Sequence, residues 1–161
     1  MQRRYTAWLI PIVTLIVLAA YVVWPNNPGI HFTLGSTSFD RSFTVHEGLD
    51  LQGRAVLICT GWDIHWRTPQ YGEGAPFLSR GAAQVLVEAK PALVGIDSVN
   101  IDDRLDGTRP AHTLLLGAGI PIAEHLCSLE QLPPSGFRFH CVPVKFRGVG
   151  TFPVRAYAVI E

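Results

Sequence analysis

The pattern of apolar positions divides the chain into a continuous N-terminal run and a longer part in which short apolar segments alternate with polar ones. Residues 5–30 contain no charged residue and no histidine. Within them, residues 7–24 are apolar on every helical face rather than along one stripe, which argues against an ordinary core helix. A membrane-spanning helix needs roughly 20 apolar residues, and residues 5–24 supply that length. The run therefore predicts a single transmembrane anchor.

Arg3 and Arg4 precede this run, so the N-terminus is expected in the cytoplasm and the remainder of a single-pass membrane protein outside it. The pattern assigns residues 1–24 to the anchor, residues 25–48 to a linker and leading strand region, and residues 49–161 to the folded domain. A cleaved signal peptide is one alternative, although its apolar core is usually shorter. A misjudged gene start is another, and it would leave the domain cytoplasmic.

The longer part of the chain predicts an α/β fold. Short apolar runs at residues 55–60 and 93–96 indicate strands buried on both faces. Between them, helical spacing over residues 78–90 predicts a helix that is capped by Ser79 and stopped by Pro91. Strand, helix and strand in this order form an α/β unit. Further along, residues 120–123 predict a third inner strand, and residues 137–146 with 153–160 predict an antiparallel hairpin.

Residues 62–77 combine aromatic side chains with Pro and Gly. Trp62, Trp66 and Tyr71 are therefore candidates for lining a pocket that accepts a flat apolar substrate. The alternative is a loop that folds over its own aromatic side chains.

Composition narrows the class of partner. The 161 residues carry 13 Lys and Arg against 13 Asp and Glu, so no net field favours nucleic acid. The three cysteines, Cys59, Cys127 and Cys141, are widely spaced and form no paired metal-binding motif. They are expected to be small core residues.

The candidate chemistry lies in residues 109–126, where His112 precedes Glu124 by 12 positions across an apolar turn with two glycines. Imidazole and carboxylate are ligands for a divalent ion, either Zn²⁺ or Mn²⁺. A catalytic site normally takes three protein ligands and a water, so the pair is only part of one. Asp97, at a strand end, could orient a ligand or cap a turn. Asp102 and Asp103 are expected in a solvated loop.

A series of blocks in this order resembles the cyclase family of metal-dependent hydrolases, which includes bacterial kynurenine formamidase and isatin hydrolase. The resemblance covers about residues 49–160. The blocks are Thr60-Gly61-Trp62, Pro76-Phe77-Leu78-Ser79, Leu93-Val94-Gly95-Ile96-Asp97, His112, Gly119-Ile120-Pro121-Ile122-Ala123-Glu124, Leu129-Glu130-Gln131-Leu132-Pro133 and Pro153-Val154-Arg155-Ala156.

The resemblance implies a swivelling β/β/α-type fold and a hydrolase acting on an amide carbon–nitrogen bond other than a peptide bond. The substrate would be a small formyl-amide or cyclic amide, as in tryptophan catabolism. By position, His112 and Glu124 match two of the family's metal ligands. The family's N-terminal motif, of the form His-x-Gly-Thr-His-x-Asp, is absent from this sequence. The domain is therefore expected to be incomplete at its N-terminal side.

Two interpretations of this incompleteness remain open. In the first, a homo-oligomer or a separate chain supplies the missing half of the site, and the protein is an enzyme. In the second, the protein is a non-catalytic, membrane-anchored remnant or binding module of the same fold.

Overall fold

The computed structural model describes residues 17–23, 33–35, 41–42, 50–145 and 147–160. Their strands are β1 (Val17–Val23), β2 (Thr33–Gly35), β3 (Arg41–Ser42), β4 (Ala55–Ile58), β5 (Phe77–Leu78), β6 (Leu93–Ile96), β7 (Ile122–Ala123), β8 (Phe137–Val142) and β9 (Arg155–Ile160). The α-helices of this part are α1 (Arg80–Ala89) and α2 (Pro110–Gly117), and short 3₁₀ turns cover Trp62–His65, Pro69–Gly72 and Leu129–Gln131. The predicted α/β class is confirmed at this level.

The main sheet is mixed, with the strand order β7-β6-β4-β1-β8-β9. Strands β1, β4, β6 and β7 run parallel to one another, whereas β8 pairs antiparallel with both β1 and β9. A small antiparallel sheet has the order β3-β2-β5. The carboxyl ends of β4, β6 and β7 meet at one edge of the main sheet, which is where open α/β sheets usually bind their ligands.

The predicted transmembrane helix is wrong for the part of it that the structure describes. Residues 17–23 form β1, which lies between β4 and β8 with Tyr21 in register with Val56. An interior strand of a sheet that is covered on both faces has a continuous apolar run, so its sequence cannot be told from a spanning helix by periodicity. Among the described residues, no helix is long and apolar enough to cross a bilayer. The predicted localisation stays a prediction, and residues 1–16 and 24–32 lie outside the described residues.

The predicted α/β unit is confirmed almost to the residue. Strands β4 and β6 pair in parallel, and α1 lies between them in sequence. The Ser79 hydroxyl accepts a hydrogen bond from the Ala82 amide at 3.2 Å, which caps the first turn of α1. At the other end, Lys90 adopts the left-handed conformation with φ 52°, and Pro91 prevents the helix from continuing.

The main sheet carries a separate apolar core on each face. One core joins β4 and β6 to the buried side chains of both helices, among them Leu86 and Leu115. The other joins the opposite face to β8 and to residues that follow β7. Gly95 belongs to the second face, where an added Cβ would lie 2.6 Å from Leu126 Cδ1 and 2.8 Å from Leu57 Cδ2. Only glycine lets these two leucines pack together over β6.

Three further expectations need adjustment. The 120–123 strand exists as β7, but it is the edge strand of the sheet rather than an inner one. The stretch after Pro110 was expected to be an apolar turn. It is instead the helix α2, and Pro110 is its first residue. Cys127 is exposed, although Cys59 is buried as expected. The predicted hairpin is confirmed, since β8 and β9 pair antiparallel along their lengths.

Candidate functional site

Polar and aromatic side chains gather where the parallel strands end. Trp62 follows β4, Asp97 follows β6 directly, and Glu124 follows β7 directly. Because the strands are parallel, all three residues lie at the same edge of the sheet. His112 reaches this edge from the first turn of α2.

The Asp97 carboxylate joins the ends of β6 and β4. It is fully buried and accepts hydrogen bonds from the Thr60 amide at 2.8 Å, the Thr60 hydroxyl at 2.5 Å and the Gly61 amide at 2.8 Å. Burial raises the pKa of Asp97 above its usual value, and the hydrogen bonds from Thr60 and Gly61 offset part of that rise. These contacts hold the turn after β4, and a role in orienting a metal ligand stays a prediction.

The Asp102 carboxylate is the main support of His112. It is 2 % exposed and accepts hydrogen bonds from the Ala111 amide at 2.6 Å and the His112 amide at 3.0 Å. It therefore caps the N-terminus of α2, where the helix dipole favours a negative charge. The same carboxylate lies 2.7 Å from His112 Nδ1. The expectation that Asp102 lies in a solvated loop was wrong, because it missed this helix start.

The contact with Asp102 determines which ring nitrogen of His112 is free. An ionised carboxylate only accepts hydrogen bonds, so Nδ1 carries a hydrogen, and in the neutral form of the ring Nε2 then presents a lone pair. His112 Nε2 lies 3.6 Å from Glu124 Oε1, and this oxygen is itself held by the Ile101 amide at 2.8 Å. In the neutral form of the ring, two electron-rich atoms thus converge, which is the arrangement that a bound cation would stabilise.

Arg109 covers one face of the His112 ring. Its Nη2 lies 3.2 Å from Nδ1 and 3.1 Å from Nε2 of the ring. The in-plane directions of the two ring nitrogens diverge, so one atom equidistant from both must lie over the ring face. Nη2 therefore lies over the ring rather than in line with either ring nitrogen. The Arg109 side chain is half-exposed.

The three candidate pocket residues, Trp62, Trp66 and Tyr71, lie in one segment over this edge. The Trp62 indole donates a hydrogen bond to the Tyr71 carbonyl at 3.0 Å, which ties the two 3₁₀ turns together. Trp66 packs edge-on against Tyr71, with ring centroids 5.0 Å apart. Tyr71 is buried, whereas Trp66 is 55 % exposed. The segment thus packs partly on its own aromatic side chains and leaves Trp66 exposed, and a pocket for a flat substrate stays a prediction.

Only part of a metal-ligand set is present in the described residues. His112 and Glu124 fit a divalent ion by donor chemistry and by their separation. Within residues 50–145 and 147–160 and the three short N-terminal strands, no cluster of three or more His, Cys, Asp and Glu side chains could hold an ion. A complete catalytic site would need a further ligand.

Two residues of this site escaped the sequence reasoning. Asp102 gave no local capping signal, because it does not directly precede Pro110, the first residue of α2, and α2 itself was missed. The second residue is His125. Its hydroxyl partner, Tyr71, is 54 positions away in sequence, so no local pattern reveals the contact.

Comparison with known proteins bears on the resemblance to the cyclase family. Residues 36–103 match the family described as putative cyclase, which is less than half of the chain. The resemblance to the cyclase family is confirmed. Both His112 and Glu124 lie beyond the matched residues, so this match does not bear on them. No curated protein matches the chain.

Solved structures of cyclase-like hydrolases share the fold. Isatin hydrolase A from Ralstonia solanacearum is 23 % identical with a TM-score of 0.68, and the match covers 91 % of this chain and 61 % of that protein. A potential metal-dependent hydrolase with cyclase activity is 26 % identical with a TM-score of 0.56, covering 88 % and 64 %. A predicted metal-dependent hydrolase from Bacillus stearothermophilus is 23 % identical with a TM-score of 0.64, covering 88 % and 62 %. The chain thus spans less than two thirds of these cyclase-like hydrolases.

Proposed function

We propose that this protein is a metal-dependent hydrolase of an amide carbon–nitrogen bond in a small aromatic amide. The observation that carries the proposal is the approach of His112 Nε2 to Glu124 Oε1, at 3.6 Å, at the carboxyl edge of the parallel strands. The likeness to isatin hydrolase supports a cyclic aromatic amide as the substrate. Isatin is the first substrate to test and N-formylkynurenine the second.

Each residue has a distinct role in this proposal. His112 and Glu124 would hold the ion, either Zn²⁺ or Mn²⁺, and Asp102 orients the His112 ring so that Nε2 faces Glu124. The chemistry that the ion would supply is a lowered pKa, toward ~7, for a water and polarisation of the carbonyl under attack. Trp66, with its exposed indole, receives the flat part of the substrate. The buried Tyr71 and the Trp62 indole hold that surface in place.

We expect either a homo-oligomer or a separately encoded chain to supply the further metal ligand, because the motif His-x-Gly-Thr-His-x-Asp is absent from this sequence and a catalytic ion usually takes three protein ligands. Size-exclusion chromatography with light scattering, repeated with and without metal, tests the homo-oligomer.

Metal stoichiometry tests the proposal directly. Purified protein is dialysed against Zn²⁺ or Mn²⁺, and bound metal is measured by elemental analysis, together with hydrolysis of isatin. We expect about one ion per site, and a loss of ~10-fold or more in affinity for His112→Ala and for Glu124→Ala. Glu130→Ala removes an exposed carboxylate far from His112 in sequence and serves as the control. Protein that binds no metal in any oligomeric form contradicts the proposal.

A non-catalytic binding module is the second candidate, and one observation favours it. Both members of the pair already have internal partners, since Asp102 holds His112 and the Ile101 amide holds Glu124. The pair could therefore be retained for structure alone. In that case a chelator leaves the melting temperature unchanged, whereas a metal protein loses several degrees.

A further inference from the structure

His125 occupies an unusual backbone position at the candidate site. It follows Glu124 directly and adopts the left-handed backbone conformation with φ 58°, which residues other than glycine rarely adopt. Its amide donates a hydrogen bond to the carbonyl of Ser98, the residue after Asp97, at 3.1 Å. This bond holds the backbone conformation of His125. Strained positions of this kind cluster at ligand-binding sites.

The ring of His125 is anchored by the segment that covers the edge. The Tyr71 hydroxyl lies 2.9 Å from His125 Nδ1. Burial, and secondarily the charge of Asp97, raises the pKa of Tyr71 to about 12, so the hydroxyl is neutral under ordinary conditions. Tyr71 is itself buried, and a hydroxyl that only accepted this bond would leave its own hydrogen without an acceptor.

The hydroxyl of Tyr71 therefore donates to Nδ1, and the hydrogen of the neutral His125 ring lies on Nε2. The two nitrogens of an imidazole point in diverging directions. The Nε2–H group accordingly points away from the buried hydroxyl, on a side chain that is exposed.

An open aromatic surface lies beside this donor. The Trp66 ring packs edge-on against Tyr71 and lies 6.0 Å from the His125 ring at an interplanar angle of 61°. Trp66 is 55 % exposed despite these contacts. An exposed aromatic residue thus lies beside the anchored ring of His125.

We propose that His125 is a ligand-binding residue whose Nε2–H donates a hydrogen bond to the carbonyl oxygen of a planar aromatic amide packed on Trp66. The substrate class rests on the proposed function, while the contact itself rests on the geometry of Tyr71, His125 and Trp66. His125 selects ligands with a carbonyl acceptor over planar rings that lack one.

The test compares two ligands of nearly the same shape. Oxindole is a planar lactam, and indole is a similar bicycle without the carbonyl. Binding of each is measured by isothermal titration calorimetry in the presence of a chelator, so that no metal contributes. We expect His125→Ala to weaken oxindole binding by about 3- to 10-fold and to change indole binding less than about 2-fold, as for loss of one neutral hydrogen bond. Ile64→Ala, which truncates a side chain that is 78 % exposed in the same segment, should change neither.

A second variant separates ligand contact from mere anchoring of the segment. Tyr71→Phe keeps the ring packing and releases Nδ1, so nitrogen NMR should show that the His125 hydrogen no longer stays on Nε2. We expect this variant to weaken oxindole binding as well. If His125→Ala lowers the melting temperature but weakens both ligands equally, or neither, then His125 only anchors the segment and the inference is overturned. Absence of oxindole binding to the unsubstituted protein overturns it too.

The outcome is independent of the metal-dependent activity. If the unsubstituted protein hydrolyses amides, but His125→Ala keeps the same preference for oxindole over indole, the result contradicts this inference alone. If the unsubstituted protein binds no metal, but His125→Ala binds oxindole more weakly, the result contradicts only the proposed function.

Discussion

Replacing Asp102 with asparagine tests the role given to this carboxylate with almost no change in volume. Asp102 accepts hydrogen bonds from two backbone amides at the start of α2 and from His112 Nδ1. An amide side chain keeps one accepting oxygen, which can stay on the Ala111 amide. Its NH₂ group then faces the His112 amide, which is another donor, and His112 Nδ1. Two donors that face each other cannot form a hydrogen bond.

The expected loss of stability follows from these contacts. A hydrogen bond to a charged group contributes about 1.5–3 kcal/mol, and Asp102→Asn removes one and weakens another by removing the charge. We expect a loss of about 2–3 kcal/mol in the free energy of unfolding. For a chain of this size, that loss lowers the melting temperature by roughly 4–12 °C.

The same substitution should also reverse the His112 tautomer. The new NH₂ donates to Nδ1, so the ring hydrogen moves to Nε2, where it faces Glu124 Oε1. Nitrogen NMR of histidine-labelled protein detects this exchange, and dialysis should show metal affinity about 10- to 100-fold lower. Asp103→Asn, next in the chain and outside these contacts, is the control and should change stability by less than about 0.5 kcal/mol. Equal stability of the two variants, with an unchanged tautomer, would refute this reasoning.

Three smaller predictions follow from the fold. Gly95→Ala forces a methyl group against two leucines and should lower the free energy of unfolding by about 1–3 kcal/mol. Gly81→Ala lies in a helix with open space around it and should raise the free energy of unfolding by about 0.5–1 kcal/mol. Urea unfolding measures both. Ser79→Ala removes the cap of α1 and should cost about 1 kcal/mol in the same assay. The pKa of Tyr71 rises from 10.0 to about 12 on folding, so the folded state keeps the proton longer and stability falls as pH rises through this interval. Tyr71→Phe should abolish that fall, and absorbance at alkaline pH should show one fewer late-titrating tyrosine.

The parallel core was predictable from sequence because local signals and tertiary packing agree there. Strand β6 reads as a short apolar run, and α1 has both a cap and a stop signal. The N-terminal run was not predictable in the same way. A buried strand and a spanning helix both need uninterrupted apolar residues, and only the pairing of β1 with β4 and β8 distinguishes them.

The candidate site also contains residues that were predictable from sequence and partners that were not. The convergence of His112 and Glu124 was expected from residue type and the family resemblance, and the two side chains do meet. Their partners were not expected, because each contact joins distant segments. Asp102 reaches His112 through the start of a helix that was interpreted as a turn, and Tyr71 reaches His125 across 54 positions.

The response of the melting temperature to added metal distinguishes a structural role of His112 and Glu124 from a metal-binding role. His112→Ala loses the bond to Asp102 whether or not an ion binds, so a simple loss of stability does not identify a metal site. A ligand that binds only the folded state adds RT ln(1 + [L]/Kd) to its stability, which is about 2.7 kcal/mol at 100 times Kd. The unsubstituted protein should therefore gain several degrees in melting temperature when Zn²⁺ or Mn²⁺ is added, and His112→Ala and Glu124→Ala should gain none. If all three proteins respond equally to metal, the ion binds elsewhere and the pair is structural.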